Sequence, residues 1–171
     1  MLNWNYCPRC GHELQERETD ERRLRPVCPE CGWVVYLNPP IAVGVVAADR
    51  QGRILLVRRG ENPGRGLWGL PAGFMEIDET TEETAHRECR EETGLTVELK
   101  ELWGIWSFFH AIKRTSGVLV LYRADITGGE LAAGSDSTEA VLFAPAEIPF
   151  DQLAFETHRE ALKKWQDLRE E

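Results

Sequence analysis

The sequence predicts an α+β protein, an α/β/α sandwich that is preceded by a small four-cysteine zinc ribbon. Two Cys-x-x-Cys pairs lie near the N-terminus, short apolar stretches typical of strands stand on both sides of one central helical segment, and an amphipathic segment ends the chain. Elements in this order must bury their apolar faces on one another, which favours a sheet covered by helices. We expect residues 1–38 to form the ribbon and residues 39–171 to form the larger domain, including the C-terminal helix.

Length and charge restrict the class of protein. The 171 residues suffice for one domain of ordinary size plus a small module. The net charge of −9, from 29 acidic and 20 basic residues, disfavours binding to nucleic acid, because Lys and Arg drive such binding by displacing counterions. No apolar run approaches the roughly 18 residues of a membrane helix, and no signal-peptide pattern opens the chain. We therefore expect a cytoplasmic protein that does not enter a membrane.

The cysteine spacing predicts a zinc site. Two Cys-x-x-Cys knuckles, each followed by glycine, have seventeen residues between them, and they supply four ligands: Cys7, Cys10, Cys28 and Cys31. Four thiolates complete a tetrahedral Zn²⁺ shell, so this zinc would be structural. The alternatives are two disulfides, which a reducing cytoplasm disfavours, or a redox pair, which would need only one knuckle. The charged run at residues 13–25 is expected to form an exposed hairpin between the knuckles.

Strands are predicted on the N-terminal side of the central helix. Two prolines within residues 38–40 mark the boundary after the ribbon. Residues 41–48 are small, apolar and partly β-branched, which predicts a buried strand. A turn at residues 49–52 leads to a second strand at residues 53–58, so the two strands form a hairpin.

The central helix has clear signals at both ends. Thr80 and Glu83 have the spacing of a capping box, and Gly94 is a typical left-handed stop. Residues 69–73 contain three residues of the loop-forming types Gly and Pro, so a loop leads into the helix. The segment is therefore predicted to be a loop followed by a helix that ends at Gly94.

The last part of this helix carries the chemistry. Glu88, Glu91 and Glu92 stand at positions i, i+3 and i+4, which places three like charges on one edge of a helix. Such pairs repel, so the arrangement does not serve helix stability. A divalent cation such as Mg²⁺ would remove the conflict, because it prefers carboxylate, water and phosphate oxygens. The alternative for this pattern alone is a solvated acidic face.

The segments after Gly94 predict further strands and a closing helix. Residues 96–103, 104–112 and 117–126 are typical of strands, the last of them ending at a Gly-Gly turn. Apolar residues at helical spacing within residues 153–171 predict an amphipathic helix.

The first two of these strands carry an unusual number of aromatic residues. They are Trp103, Trp106, Phe108 and Phe109. Aromatic faces could stack on an adenine or flavin ring, whereas core packing or a subunit interface is the commoner role of such a cluster.

The chain resembles the Nudix hydrolases. Their signature reads glycine, five residues, glutamate, seven residues, then Arg-Glu-apolar-x-Glu-Glu-x-Gly-apolar. This sequence matches at eight positions: Gly73, Glu79, Arg87, Glu88, Glu91, Glu92, Gly94 and Leu95. Cys89 stands where the family has an apolar residue, which a thiol can satisfy, and Ala72 and Asp78 replace glycines that often flank the loop. The resemblance implies a Nudix-type α/β/α sandwich with a mixed sheet from about residue 40 onward.

The resemblance also implies residue roles. Glu88, Glu91 and Glu92 would bind catalytic Mg²⁺ or Mn²⁺, with the Gly73 carbonyl as a further ligand. Arg87 would orient these carboxylates, and Glu79 would support the entry to the helix.

Substrate contacts implied by the resemblance lie outside the signature. Arg58 or Arg59 could hold a phosphate, although ion pairing within the fold is equally compatible with either arginine. Glu76 resembles a position that is often acidic and helps to hold metal. In the loop after the last strand, Asp136 and Glu139 are candidates for a further catalytic carboxylate.

The implied reaction is hydrolysis of a nucleoside diphosphate linked to another group. The ribbon and the stretches LWGLPAG and EIPFDQLAF resemble ADP-ribose and FAD pyrophosphatases, which give AMP and a second monophosphate. NADH pyrophosphatase is the alternative, but residues 102–107 lack the Ser-Gln-Pro-Trp-type element of those enzymes. A nucleotide sensor that binds without turnover is a third hypothesis. A small nucleotide is thus the expected partner, and a homodimer is expected by analogy with many Nudix enzymes.

Overall fold

A computed structural model describes residues 4–110, 115–134 and 136–170. The contacts divide the chain into two compact units, with the main division after Pro39 and residues 111–115 assigned to the first unit. In the N-terminal unit, strands β1 (Gln15–Glu18) and β2 (Leu24–Val27) form an antiparallel hairpin. All four residues of β1 are exposed, which confirms the predicted hairpin between the cysteine knuckles.

The second unit is built on one seven-stranded sheet. Its strands are β3 (Ile41–Ala48), β4 (Ile54–Arg59), β5 (Trp68–Gly69), β6 (Ala72–Phe74), β7 (Leu95–His110), β8 (Thr115–Gly129) and β9 (Ser137–Phe143). The main order is β5-β4-β3-β8-β7, while β6 also pairs with β3 and β9 with β4. Strands β3 and β8 are parallel, whereas β3 pairs antiparallel with β4 and β6. The mixed sheet is confirmed.

Helix α1 (Thr81–Thr93) has the predicted ends. The Thr80 hydroxyl accepts a hydrogen bond from the Glu83 amide at 3.2 Å, and the Glu83 carboxylate accepts one from the Thr80 amide at 2.8 Å. Gly94 adopts the left-handed conformation, with φ of 70°, and its amide donates to the Arg90 carbonyl. The local sequence therefore fixes both limits of this helix.

Helix α2 (Glu156–Glu170) begins three residues later than predicted. Leu153 is buried but precedes the helix, directly after a short 3₁₀ turn at Phe150–Gln152. Leu162 and Trp165 face the core, while Leu168 is exposed. Among the described residues, no helix is long and apolar enough to cross a membrane.

The two helices cover opposite faces of the sheet. Ala85 of α1 belongs to a buried cluster with Val45, and Leu162 of α2 belongs to another with Val46. Neighbouring residues of a strand point to opposite faces, so β3 contributes to both clusters. Cys89 is fully buried in the α1 cluster, as expected for a thiol that replaces an apolar residue. The predicted α/β/α sandwich is confirmed.

The sheet differs from the prediction in its long strands. Residues 96–103 and 104–112 were expected to form two strands, but β7 is continuous through Gly104; residues 111–112 lie outside the described part of the chain. A Cβ at Gly104 would lie 2.6 Å from the Trp106 ring, so this glycine makes room for a side chain and does not break the strand. Strand β8 likewise runs on through Gly129, where a turn was expected.

Most of the aromatic cluster contributes to the core. Trp103 is buried and donates a hydrogen bond from its indole Nε1 to the Ala161 carbonyl at 3.1 Å. Trp106 and Phe108 pack against the same core cluster, and only Phe109 of the four is largely exposed. Core packing is therefore the role that the structure gives to three of them.

Candidate active site

Glu88, Glu91 and Glu92 lie on one edge of α1, called the acidic edge below. This edge lies against β6. An ideal Cβ at Gly73 would stand 2.2 Å from the Glu88 carboxylate carbon, so only glycine allows this approach. Gly44 lies on the neighbouring strand β3, where a Cβ would clash with Pro71 and Ala72. Two glycines thus bring the backbone of residues 71–73 close to both the sheet and the helix.

Arg87 connects several acidic side chains. Its Nε and Nη2 donate to the two carboxylate oxygens of Glu79 at 2.5 and 2.8 Å, and its Nη1 donates to Glu88 at 2.6 Å and to Glu91 at 3.1 Å. Nη2 also donates to the Phe74 carbonyl at 3.1 Å, which ties the clamp to β6. The Arg87 guanidinium lowers the pKa of Glu79 to about 2, so this carboxylate stays ionised.

Glu92 is the most buried of the three signature glutamates, with 5% of its surface exposed. Its Oε2 accepts a hydrogen bond from the Ala72 amide at 3.2 Å. Burial raises the pKa of Glu92 to about 8, and the nearby negative charges of Asp136 and Glu88 add to that rise. Burial also raises the pKa of Glu88. These carboxylates are therefore poorly compensated by the protein alone, and a divalent cation fits the donor set.

The three glutamates differ in their surroundings. Glu91 is about half exposed, with 49% of its side chain accessible, whereas the other two are mostly covered. In the described ranges, only the four cysteines bring three or more ligand atoms within 4.8 Å of one another. The acidic edge is thus an open half-site. Such a site suits Mg²⁺, which usually keeps several waters and takes one or two carboxylates plus phosphate oxygens.

The two loop carboxylates have different positions. Asp136 is held next to the end of β4 by the hydrogen bond from the Gly60 amide to its carbonyl, at 2.7 Å. Its charge contributes to the raised pKa of Glu92 and Glu88, after burial. Glu139 instead forms an ion pair with Arg58 at 2.7 Å. Of the two candidates, Asp136 is the one whose charge acts on the acidic edge.

Arg58 and Arg59 also have separate roles in the fold. Besides its ion pair, Arg58 donates from Nε to the Gly66 carbonyl at 2.9 Å. Arg59 donates from Nε to the Pro63 carbonyl at 2.7 Å, and its guanidinium lies 4.9 Å from the centre of the Phe155 ring. Its charge opposes the effect of burial on the pKa of Glu92.

Glu76 does not join the acidic edge through any of the hydrogen bonds found in the described residues. Its side chain is exposed, and its backbone amide donates to Glu79 at 3.1 Å. Two other contributors to the site could not be found from the sequence. The Ala72 amide has no side-chain signal, and Phe155, which supports Arg59, is far from it in the chain.

The four cysteines form a compact cluster in the N-terminal unit. Neighbouring sulfurs lie 3.4 to 3.6 Å apart, close to the edge of about 3.8 Å that four Zn–S bonds of 2.3 Å give in a tetrahedron. These separations exclude disulfides, and all four thiols are free. The Cys31 amide lowers the pKa of Cys28 to about 6, whereas the pKa of its neighbour Cys10 is raised to about 12, so the metal-free cluster favours the thiolate at Cys28 but not at Cys10. The cluster fits a structural Zn²⁺.

Comparisons with known proteins match both parts of the chain. The NUDIX domain model matches residues 38–166, and the Nudix N-terminal zinc-ribbon model matches residues 5–37. A crystal structure of a NUDIX hydrolase from Nitrosomonas europaea has 34% sequence identity and a TM-score of 0.89, covering 98% of this chain and 93% of that one.

Two curated relatives have names that specify a substrate. An ADP-ribose pyrophosphatase from Methanocaldococcus jannaschii is 39% identical over 77% of this chain and 75% of its own length. A NAD-capped RNA hydrolase NudC from Haemophilus influenzae is 30% identical over 74% of this chain but only 46% of its own length. The match to NudC thus spans about half of that relative. The NUDIX domain model matches most of this chain. The chain therefore belongs to the Nudix hydrolases and is a pyrophosphate hydrolase that carries the zinc ribbon of the family.

Proposed function

We propose that this chain hydrolyses the pyrophosphate bond of ADP-ribose or FAD and releases AMP plus the other monophosphate. The observation that carries this proposal is the acidic edge of α1, where Arg87 clamps Glu88 and Glu91 while Glu92 is buried against β6. The 39% identical relative named ADP-ribose pyrophosphatase supports the choice of substrate. We also assign residues 1–38 to the zinc ribbon and residues 39–171 to the catalytic domain.

Nudix enzymes use Mg²⁺ or Mn²⁺, and the acidic edge is the site that we assign to it. Glu88, Glu91 and Glu92 are its carboxylate ligands, and the Gly73 carbonyl is a further ligand. When bound, the cation neutralises charge on the pyrophosphate oxygens and lowers the pKa of the attacking water. One of these glutamates, or a neighbouring carboxylate, receives the proton of that water.

Arg87 and Glu79 act through the ligands. The bidentate pair between them fixes the guanidinium plane, so that the remaining nitrogen hydrogen-bonds two glutamates at once. Without that plane, the carboxylates would be free to rotate on their flexible side chains. Arg87 and Glu79 therefore contribute to catalysis by orienting the ligands, and they do not need to contact the water.

Arg59 is the better candidate for a substrate phosphate. Its Nε bond to Pro63 and its stacking on Phe155 fix the guanidinium, and no carboxylate among the described residues forms an ion pair with it. Its positive charge also opposes the rise that burial causes in the pKa of Glu92. A fixed guanidinium with free N–H groups, whose charge acts on a carboxylate of the proposed metal site, suits a pyrophosphate oxygen.

Arg58, Glu139 and Glu76 are weaker candidates for substrate contact. The ion pair between Arg58 and Glu139 would have to open before either side chain could bind a ligand. Glu76 is exposed near the acidic edge, where it remains a candidate for contact with bound substrate.

NADH pyrophosphatase activity is the second candidate, because relatives at 30% identity bear the name NAD-capped RNA hydrolase NudC. The missing Ser-Gln-Pro-Trp-type element in residues 102–107 disfavours it. A sensor without turnover is disfavoured because every acidic position of the signature is present. A cytoplasmic location and a homodimer stay predictions, and sedimentation would test the latter.

Product analysis tests the proposal. FAD, ADP-ribose, NADH and several nucleoside triphosphates are incubated with zinc-loaded protein, with and without Mg²⁺, beside Glu91→Gln and the exposed control Glu160→Gln on α2. We expect AMP from FAD or ADP-ribose only with Mg²⁺, greatly reduced in Glu91→Gln and unchanged in Glu160→Gln. Preferred cleavage of NADH would favour the second candidate. Binding without any turnover would favour the sensor, and Mg²⁺-independent turnover would contradict the assigned chemistry.

A further inference from the structure

His158 is buried on α2, with 4% of its surface exposed. Its Nδ1 accepts a hydrogen bond from the Leu70 amide at 3.0 Å. An accepting Nδ1 requires a neutral ring with the proton on Nε2. Burial lowers the pKa of His158 to about 3, with a smaller contribution from the charge of Arg59, so the neutral ring persists at physiological pH.

The chain around His158 is docked on the same segment. The Ala154 amide donates to the Trp68 carbonyl at 2.8 Å, and Leu153 forms a parallel bridge with Trp68. An ideal Cβ at Gly69 would lie 3.2 Å from Nδ1, which shows that the imidazole packs tightly on the backbone there. Residues 153–158, at and just before the start of α2, thus hold residues 68–70 through backbone and side-chain contacts.

The four residues that begin with Leu70 lead directly to the acidic edge. The Pro71 carbonyl accepts a hydrogen bond from the Val45 amide at 3.1 Å. The Ala72 amide donates to Glu92, and Gly73 lies under the Glu88 carboxylate. Each residue from 70 to 73 is therefore fixed by a different partner, and His158 is the partner of the first.

We propose that His158 is a positioning residue for the metal site, because it fixes the backbone segment that orients the carboxylates of Glu92 and Glu88. This inference rests on the proposed role of those carboxylates as metal ligands. An apolar side chain would fill the same buried place but would leave the Leu70 amide without an acceptor. The histidine thus supplies a hydrogen-bond acceptor that an apolar residue of the same packing could not supply.

Four substitutions separate positioning from stability. His158→Leu removes the acceptor. His158→Asn keeps one, since its amide oxygen is the same number of bonds from Cα as Nδ1. Leu162→Ala weakens the core side of the same helix and leaves the acceptor in place. Gly69→Ala is an independent variant that displaces the imidazole by a few tenths of an ångström while the histidine remains, and its backbone does not need a positive φ.

Two readouts that need no turnover are measured on zinc-loaded protein: Mn²⁺ affinity by calorimetry and hydrogen exchange of the Leu70 and Ala72 amides by NMR. In His158→Leu we expect Mn²⁺ to bind about 10-fold more weakly and both amides to exchange faster, the size typical of lost support around metal ligands. Gly69→Ala should shift both readouts in the same direction by a smaller amount. His158→Asn should recover most of the affinity. Leu162→Ala should lower Tm with little change in Mn²⁺ affinity.

Losses in His158→Leu that are no larger than in Leu162→Ala, or equally large in His158→Asn, would overturn the proposal. Unchanged Mn²⁺ affinity and amide exchange in Gly69→Ala would do the same. If His158→Leu does not fold, Gly69→Ala alone decides. Failure of the proposed function would look different: wild-type protein would bind Mn²⁺ at the acidic edge yet hydrolyse none of the nucleotides.

Discussion

The Glu88 carboxylate lies directly over the Cα of Gly73, so closely that a Cβ at this position would stand 2.2 Å from the carboxylate carbon. The same carboxylate accepts a hydrogen bond from Arg87 at 2.6 Å. Glycine in the signature is therefore explained by close approach of a carboxylate and not by a left-handed backbone, since Gly73 is not among the residues with positive φ.

Gly73→Ala should therefore displace Glu88 from the metal site. We expect hydrolysis to fall by about 100-fold or more, because shifts of about 1 Å at a reacting site commonly have that effect. Steady-state kinetics with varied Mg²⁺ measures it. Gly128→Ala is a matched control, since its Cβ would meet only the Thr96 hydroxyl, at 3.2 Å. Unchanged kinetics in Gly73→Ala would show that Glu88 does not act from this position.

Arg87→Lys tests the clamp while it keeps the positive charge. A lysine ammonium cannot form the planar bidentate pair with Glu79 and also hold Glu88 and Glu91. We expect the Mg²⁺ concentration for half-maximal rate to rise by about 10-fold, with only a small change in Tm. Arg90→Lys, at an exposed position of the same helix, should behave like wild type. If both variants respond alike, the clamp has no orienting role.

The sequence predicts those parts of the fold that depend on local signals. The Thr80 capping box, the Gly94 stop and the two cysteine knuckles each lie within a few residues, and the structure has all of them. The start of α2 was missed because Leu153 fits the helical spacing but is buried by its bridge to Trp68. Apolar periodicity does not distinguish a residue that is buried on a helix face from one that is buried by a contact before the helix begins.

Contacts between distant residues explain what the sequence could not show at the site. Arg58 and Glu139 are 81 residues apart, and His158 is 88 residues from Leu70. No local pattern indicates which arginine will be paired and which will act on the charge of Glu92. The residue types of the acidic edge were predictable from the signature, whereas their unequal burial depends on how β6 packs.

Cys28→Ser should release zinc from the ribbon. Serine is a poor zinc ligand, and a segment with so small a core depends on its metal for folding. We expect loss of bound zinc by atomic absorption and faster hydrogen exchange in β1 and β2. Cys89→Ser removes the cysteine that lies outside the cluster and should keep its zinc. Full zinc content and protected amides in Cys28→Ser would contradict a four-cysteine structural site.

Glu92 makes the stability of the metal-free protein depend on pH. Burial raises its folded-state pKa to about 8, while the unfolded side chain keeps a value near 4.5. Between these values the folded state binds the extra proton, so the free energy of unfolding falls as pH rises from 4.5 to 8. Glu92→Gln removes this dependence and should be more stable than wild type at pH 8, on the order of 4 kcal/mol. Urea unfolding of zinc-loaded protein measures this difference in stability.

Added Mg²⁺ should stabilise wild type far more than the variant, because the cation neutralises the carboxylate. A variant that is less stable than wild type at pH 8 without Mg²⁺ would contradict this electrostatic account.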